Sequence, residues 1–147
     1  MHKIESILLK IAGTSSILIG SYHFLLPYQW QWGKVLNQLP EMIEWAVFAI
    51  NFFMSFLLVL LGIFTWRTIH LIKHKKMSDL SVLMIAALFW TQNFIYLSFN
   101  PPHIPAKLWF IKAAFMGSAI ITAAFYIIPL YRLYQQKVRS IKSFKGI

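Results

Sequence analysis

Four apolar runs, at residues 7–26, 43–66, 80–99 and 108–130, leave this chain few ways to fold. About 20 apolar residues are needed for a helix to cross the hydrocarbon core of a bilayer. Inside lipid every backbone N–H and C=O must be bonded within the protein, so only helices and closed barrels survive there. The runs are continuously apolar and lack the in/out alternation of a barrel strand. They therefore predict an all-α, polytopic membrane protein, a bundle of four transmembrane helices in a single domain. The composition agrees. Hydrophobic residues make up 59% and charged residues 12%, against about 45–50% and about 25% in soluble domains.

Local signals punctuate the runs. Pro27 is expected to follow the first span, and Pro40 with Glu41 to open the second, because proline suits the first helical turn and an acid suits the positive helix end. Ser78-Asp79 reads as a cap for the third span and Asn100-Pro101-Pro102 as its stop. Pro105 precedes the fourth span, and Pro129 is expected in its last turn.

The cations set the orientation. Lys3, with Arg67, Lys73, Lys75 and Lys76 between spans two and three, and Arg132, Lys137, Arg139, Lys142 and Lys145 in the tail, fall on one side. Lys10, just inside span one, is on that same side, while Lys34 and Lys107 fall on the other, with Lys112 just inside span four. Positive residues stay cytoplasmic. The expected topology is N-in/C-in across the inner (cytoplasmic) membrane, with outward loops at 28–39 and 100–107. The net charge of +10 is then an orientation signal with attraction to anionic lipid. It predicts membrane lipids as partners and no nucleic acid; the small size of the chain predicts a homo-oligomer or a partner membrane protein. The tail from 132 to 145 interleaves cations with Val138, Ile141 and Phe144, the pattern of a short amphipathic helix on the inner surface.

Several chemistries have no support. The chain has no cysteine, hence no disulfide, thiolate metal site or Cys nucleophile. It shows no nucleophile elbow, phosphate-binding glycine loop or HExxH. His70 and His74 share a helix face, but no third ligand joins them and lysines surround them, so no metal is expected. No cofactor and no catalytic set are assigned.

Polar groups within spans are costly and mark candidate sites. Lys10 and Lys112 can reach the two headgroup layers along their stems. Glu44 begins span two at its positive end. Asn51 returns to nearly the same face, about 10 Å deeper. Gln92 and Asn93 are similarly deep in span three, and their side chains lean further inward. In span one, Gly13, Ser16, Gly20 and His23 lie within about 80° of one another, a small-residue stripe that favours close helix contact. His23, Glu44, Asn51, Gln92 and Asn93, with Lys112 at the rim, are thus the expected ligand-binding set in the outer half of the bundle. Interhelical hydrogen bonding is the plainer role for the same residues. The aromatic loop Tyr28-Gln29-Trp30-Gln31-Trp32-Gly33-Lys34 reads as an interfacial belt, or as a lid over that set.

The stretch His23-Phe24-Leu25-Leu26-Pro27, followed by Trp32, Leu39-Pro40, Asn51 and Gly62, resembles the DoxX-like class of small four-helix membrane proteins. That resemblance implies association with membrane oxidoreductase complexes. Sterol isomerases of the emopamil-binding type are similar in architecture, but they are expected to carry several acids deep in the bundle, which this chain lacks. Two functions follow as expectations: a non-catalytic subunit or accessory protein of a membrane complex, or a binder or enzyme for a small hydrophobic ligand such as a lipid or quinone.

Overall fold

The structure, a computed structural model, describes residues 2–74, 79–101, 107 and 109–144, with side chains as far as residue 139. The described elements are all α-helical: α1 (Lys3–Gln29), α2 (Trp32–Leu36), α3 (Glu41–Lys73), α4 (Ser81–Phe99) and α5 (Trp109–Phe144). Four stretches, Lys3–Gln29, Glu41–Lys73, Ser81–Phe99 and Trp109–Arg139, are long and apolar enough to cross a membrane. The 33 residues of α3 extend about 50 Å, against a hydrocarbon core of about 30 Å. A helix of that length exceeds the thickness of the apolar layer.

Helices α1, α3 and α5 are longer than their apolar runs, whereas α4 nearly coincides with its own. Neither proline expected at a helix end ends one. Pro27 lies within α1 and Pro129 within α5. Each removes one N–H and frees the carbonyl four residues earlier. The basic tail is helical as expected, since α5 runs on through it to Phe144. Ser78, Pro102 and Pro105 lie outside the described residues. Asp79 does act at the start of α4, where Oδ1 accepts the Ser81 N–H at 2.9 Å and Oδ2 the Ser81 hydroxyl at 2.9 Å. These bonds favour the carboxylate and hold its pKa below the ordinary value. The α4 stop is also as expected, with the Asn100 N–H closing on the Tyr96 carbonyl at 2.8 Å.

The chain forms two compact units, Gly13–Phe64 and Met1–Ala12 with Thr65–Ile147. In the Gly13–Phe64 unit, the small-residue stripe is the contact it was expected to be. A Cβ on Gly20 would come within 2.7 Å of the Ser55 carbonyl oxygen and 2.9 Å of Leu58 Cβ. A Cβ on Gly62 would meet the Ile17 side chain and, at 2.5 Å, the Gly13 carbonyl oxygen. Only glycine lets α1 and α3 approach this closely.

In the other unit, α4 packs on α5. Leu83, Ala86, Ala87 and Trp90 of α4 are buried, as are Ala119, Thr122, Ala123 and Tyr126 of α5. Both sets follow the i, i+3, i+4, i+7 spacing of one helix face. The buried Tyr126 hydroxyl lies 3.0 Å from Thr65 Oγ1. Lys10 Nζ stands 5.2 Å from the centre of the Trp66 ring, a cation–π arrangement.

Candidate functional site

Pro27 organises the candidate site. An ordinary residue at position 27 would donate its N–H to the His23 carbonyl. Proline cannot, so that oxygen is left without its helical partner. Asn51, from α3, supplies one: its Nδ2 donates to the His23 carbonyl oxygen at 2.9 Å. Since the carbonyl can only accept, the contact fixes which way the Asn51 amide points and leaves Oδ1 free to accept in another direction. One step along α3, the Ser55 hydroxyl donates to the Asn51 carbonyl at 2.6 Å. The His23 imidazole has a local partner instead. Its Nδ1 lies 2.8 Å from the Ile19 carbonyl oxygen, so Nδ1 carries the proton and Nε2 remains.

Beside this junction is a cavity of about 710 Å³. Phe24 and Leu25 of α1 and Phe48 and Phe52 of α3 form its apolar walls, and Asn51 adds an amide. Phe24 and Phe52 meet edge to face with ring centroids 5.6 Å apart. Tyr28 and Gly33 close the rim. The Trp32 ring packs on Phe48 at 5.9 Å, so the aromatic loop leans on a wall of the cavity. The reversal from α1 into α2 is made by Gln31 in the left-handed region, with φ 48° and ψ 48°, an uncommon conformation for a residue with a side chain.

Within this unit, then, the structure brings His23 and Asn51 together, through the His23 backbone. Glu44 is half-buried at the start of α3 and is not among the residues lining the cavity. Gln92, Asn93 and Lys112 belong to the other unit. Asn93 and Lys112 are half-buried, while Gln92 is exposed rather than enclosed as expected. Adjacent residues on a helix point about 100° apart, so Gln92 and Asn93 do not share a face. His70 and His74 lie with ring centroids 4.4 Å apart. Among the described residues no group of three or more His, Cys, Asp or Glu could hold a metal.

The aromatic lining and the role of Pro27 were not anticipated. The signal for Pro27 was present, since counting back four residues from a proline inside a helix names the orphaned carbonyl. No family model matches the chain, and no curated protein or solved structure is significantly similar to it.

Proposed function

We propose that this is a small, non-catalytic protein of the inner membrane, with both termini in the cytoplasm, that binds a small hydrophobic ligand in the aromatic cavity of the Gly13–Phe64 unit. The observation that carries the proposal is the cavity itself. Its volume of about 710 Å³ lies within the range of about 300–1,000 Å³ typical of small-molecule sites. Aromatic walls with one oriented amide suit a flat or chain-like apolar molecule bearing a single polar group, such as a quinone or a lipid. No carboxylate lines the cavity; the phenol of Tyr28 is its titratable lining group.

The topology draws on the Lys/Arg asymmetry and on an observation from the other unit. Gln136 Nε2, near the end of α5, donates to Glu5 Oε1 at 3.5 Å in the first turn of α1. The first turn of α1 thus meets the later part of α5, which supports an even number of spans.

Mass spectrometry of protein purified at minimal detergent tests the proposal. The expected result is a co-purifying apolar molecule, retained by wild type and lost in Phe48→Ala and Asn51→Leu variants that still fold. Recovery of folded protein with no such molecule, and no binding of an added quinone or lipid, refutes it. The accessory-subunit reading rests on a different feature. Met42, Trp45, Phe53 and Phe56 leave α3 with a large exposed apolar surface, which a partner helix as well as lipid can cover. Obligate co-purification of a second membrane protein would favour that reading.

A further inference from the structure

The unit built from Met1–Ala12 and Thr65–Ile147 holds a second cavity of different chemistry. It has a volume of about 450 Å³ and lies where the start of α1 meets the last turns of α5. Arg132, Gln135, Gln136 and Arg139 all line it. These four follow i, i+3, i+4, i+7 spacing, so they form one polar stripe on a single helix face. Arg132 and Arg139 leave the helix about 10 Å apart along its axis, and both side chains line the one cavity. Among the described residues, neither arginine side chain is engaged in an ion pair or a hydrogen bond.

The remaining lining is already committed. Glu5 is 1% exposed. Its Oε2 accepts the His2 backbone N–H at 2.7 Å, and its Oε1 accepts from Gln136 at 3.5 Å. The carboxylate therefore forms a floor, held by neighbours other than the arginines. Gln135 Nε2 donates to the Tyr131 hydroxyl at 2.8 Å, which leaves that hydroxyl its own proton to donate. The open donors are thus two guanidinium forks and a phenol, and they outnumber one carboxylate that is already bonded.

We propose that this cavity binds a phosphate-bearing anion, with Arg132 and Arg139 as its principal donors. A planar fork of N–H groups matches the oxygens of a phosphate with paired, charge-assisted hydrogen bonds. The site stands where the apolar part of α5 gives way to the basic tail. Tyr131 and Tyr134 are both exposed there, as aromatic residues at a membrane interface are. On the membrane reading this is headgroup depth. The cavity and its cations do not depend on that reading or on the apolar cavity.

Thermal unfolding in a neutral detergent tests the proposal and separates a lipid headgroup from a soluble anion. One arm adds phosphatidylglycerol or, as control, phosphatidylcholine. The other adds inorganic phosphate or, at equal ionic strength, chloride. R132Q/R139Q removes the donors, and K34Q/K107Q removes the same charge elsewhere. The expected result is stabilisation by phosphatidylglycerol or by phosphate over its control, with apparent affinity falling about tenfold or more in R132Q/R139Q and holding in K34Q/K107Q. A response to the lipid alone identifies a headgroup, and a response to inorganic phosphate identifies a soluble source. Either supports the site. No selective stabilisation, or an equal loss in both double variants, overturns it. If R132Q/R139Q does not fold, Arg139→Gln alone carries the same outcomes.

Discussion

The bond from Asn51 to the His23 carbonyl should be worth most because Pro27 makes it necessary. In wild type the carbonyl has lost its helical donor and accepts Asn51 Nδ2 at 2.9 Å. Asn51→Leu leaves that oxygen with no partner, at an expected cost of about 1–2 kcal/mol. That is the lower part of the range for an orphaned buried polar group and near the upper part for interhelical bonds in membranes. Asn51→Asp should cost at least as much, because an ionised carboxylate has no N–H and faces the carbonyl with charge. In a Pro27→Ala background the outcome changes. The substituted alanine offers an N–H to the same oxygen, so Asn51→Leu should cost only about 0.5 kcal/mol or less. The double-mutant cycle should therefore show a coupling of about 1 kcal/mol. Reversible unfolding in mixed micelles measures all four proteins. Additivity within about 0.3 kcal/mol, the level expected of independent sites, would show that Asn51 does not replace the missing donor.

Gly20→Leu should collapse the thermal stability of the purified protein, since a Cβ there meets Ser55 and Leu58, whereas Leu18→Phe should be nearly silent because Leu18 is 64% exposed; equal tolerance removes the close-contact argument. Tyr126→Phe should cost about 1 kcal/mol or more through the lost bond to Thr65, read as a lower midpoint in the same unfolding assay. Asp79 has a lowered native pKa, caused first by the Ser81 N–H; its contribution is complete above the ordinary aspartate value of about 4 and disappears as pH falls through the native value. Asp79→Asn should flatten that acid limb in a melting-temperature series, and an unchanged limb counts against the capping role. Because the chain has no cysteine, single-cysteine labelling tests topology directly: Gln38→Cys should react with an impermeant maleimide in intact cells and His74→Cys only after lysis.

The sequence made the spans legible but not the ends of the helices, and the reason is physical. Hydropathy reports where lipid stops, whereas a helix stops only where its backbone bonds do. Thus α1 begins at Lys3 and α5 reaches Phe144, well beyond residues 7 and 130. The Gly13–Ser16–Gly20 stripe could be read because, in lipid, small residues are the main mark of a helix contact. The buried face of α4 could not. Ala86 and Ala87 are buried while Met84, Ile85 and Leu88 are exposed, and lipid makes both faces apolar. Gln92 was assigned by depth alone, which does not determine azimuth. Glu5 was invisible because its side-chain partner, Gln136, lies 131 positions away.

The acids share one kind of placement. The chain has four Asp and Glu residues, and all of them serve helix starts. Glu5 is in the first turn of α1, Glu41 and Glu44 are in the first turn of α3, and Asp79 caps α4. Each carboxylate there complements a positive helix end or accepts an otherwise orphaned N–H. None lines the aromatic cavity. Near that cavity, His23 engages Nδ1 with its own helix at Ile19, which leaves Nε2. General acid–base catalysis needs a titrating group within hydrogen-bond reach of the reacting atom. The cavity walls supply aromatic rings, an amide and, at Tyr28, a phenol, which can hold and orient an apolar molecule.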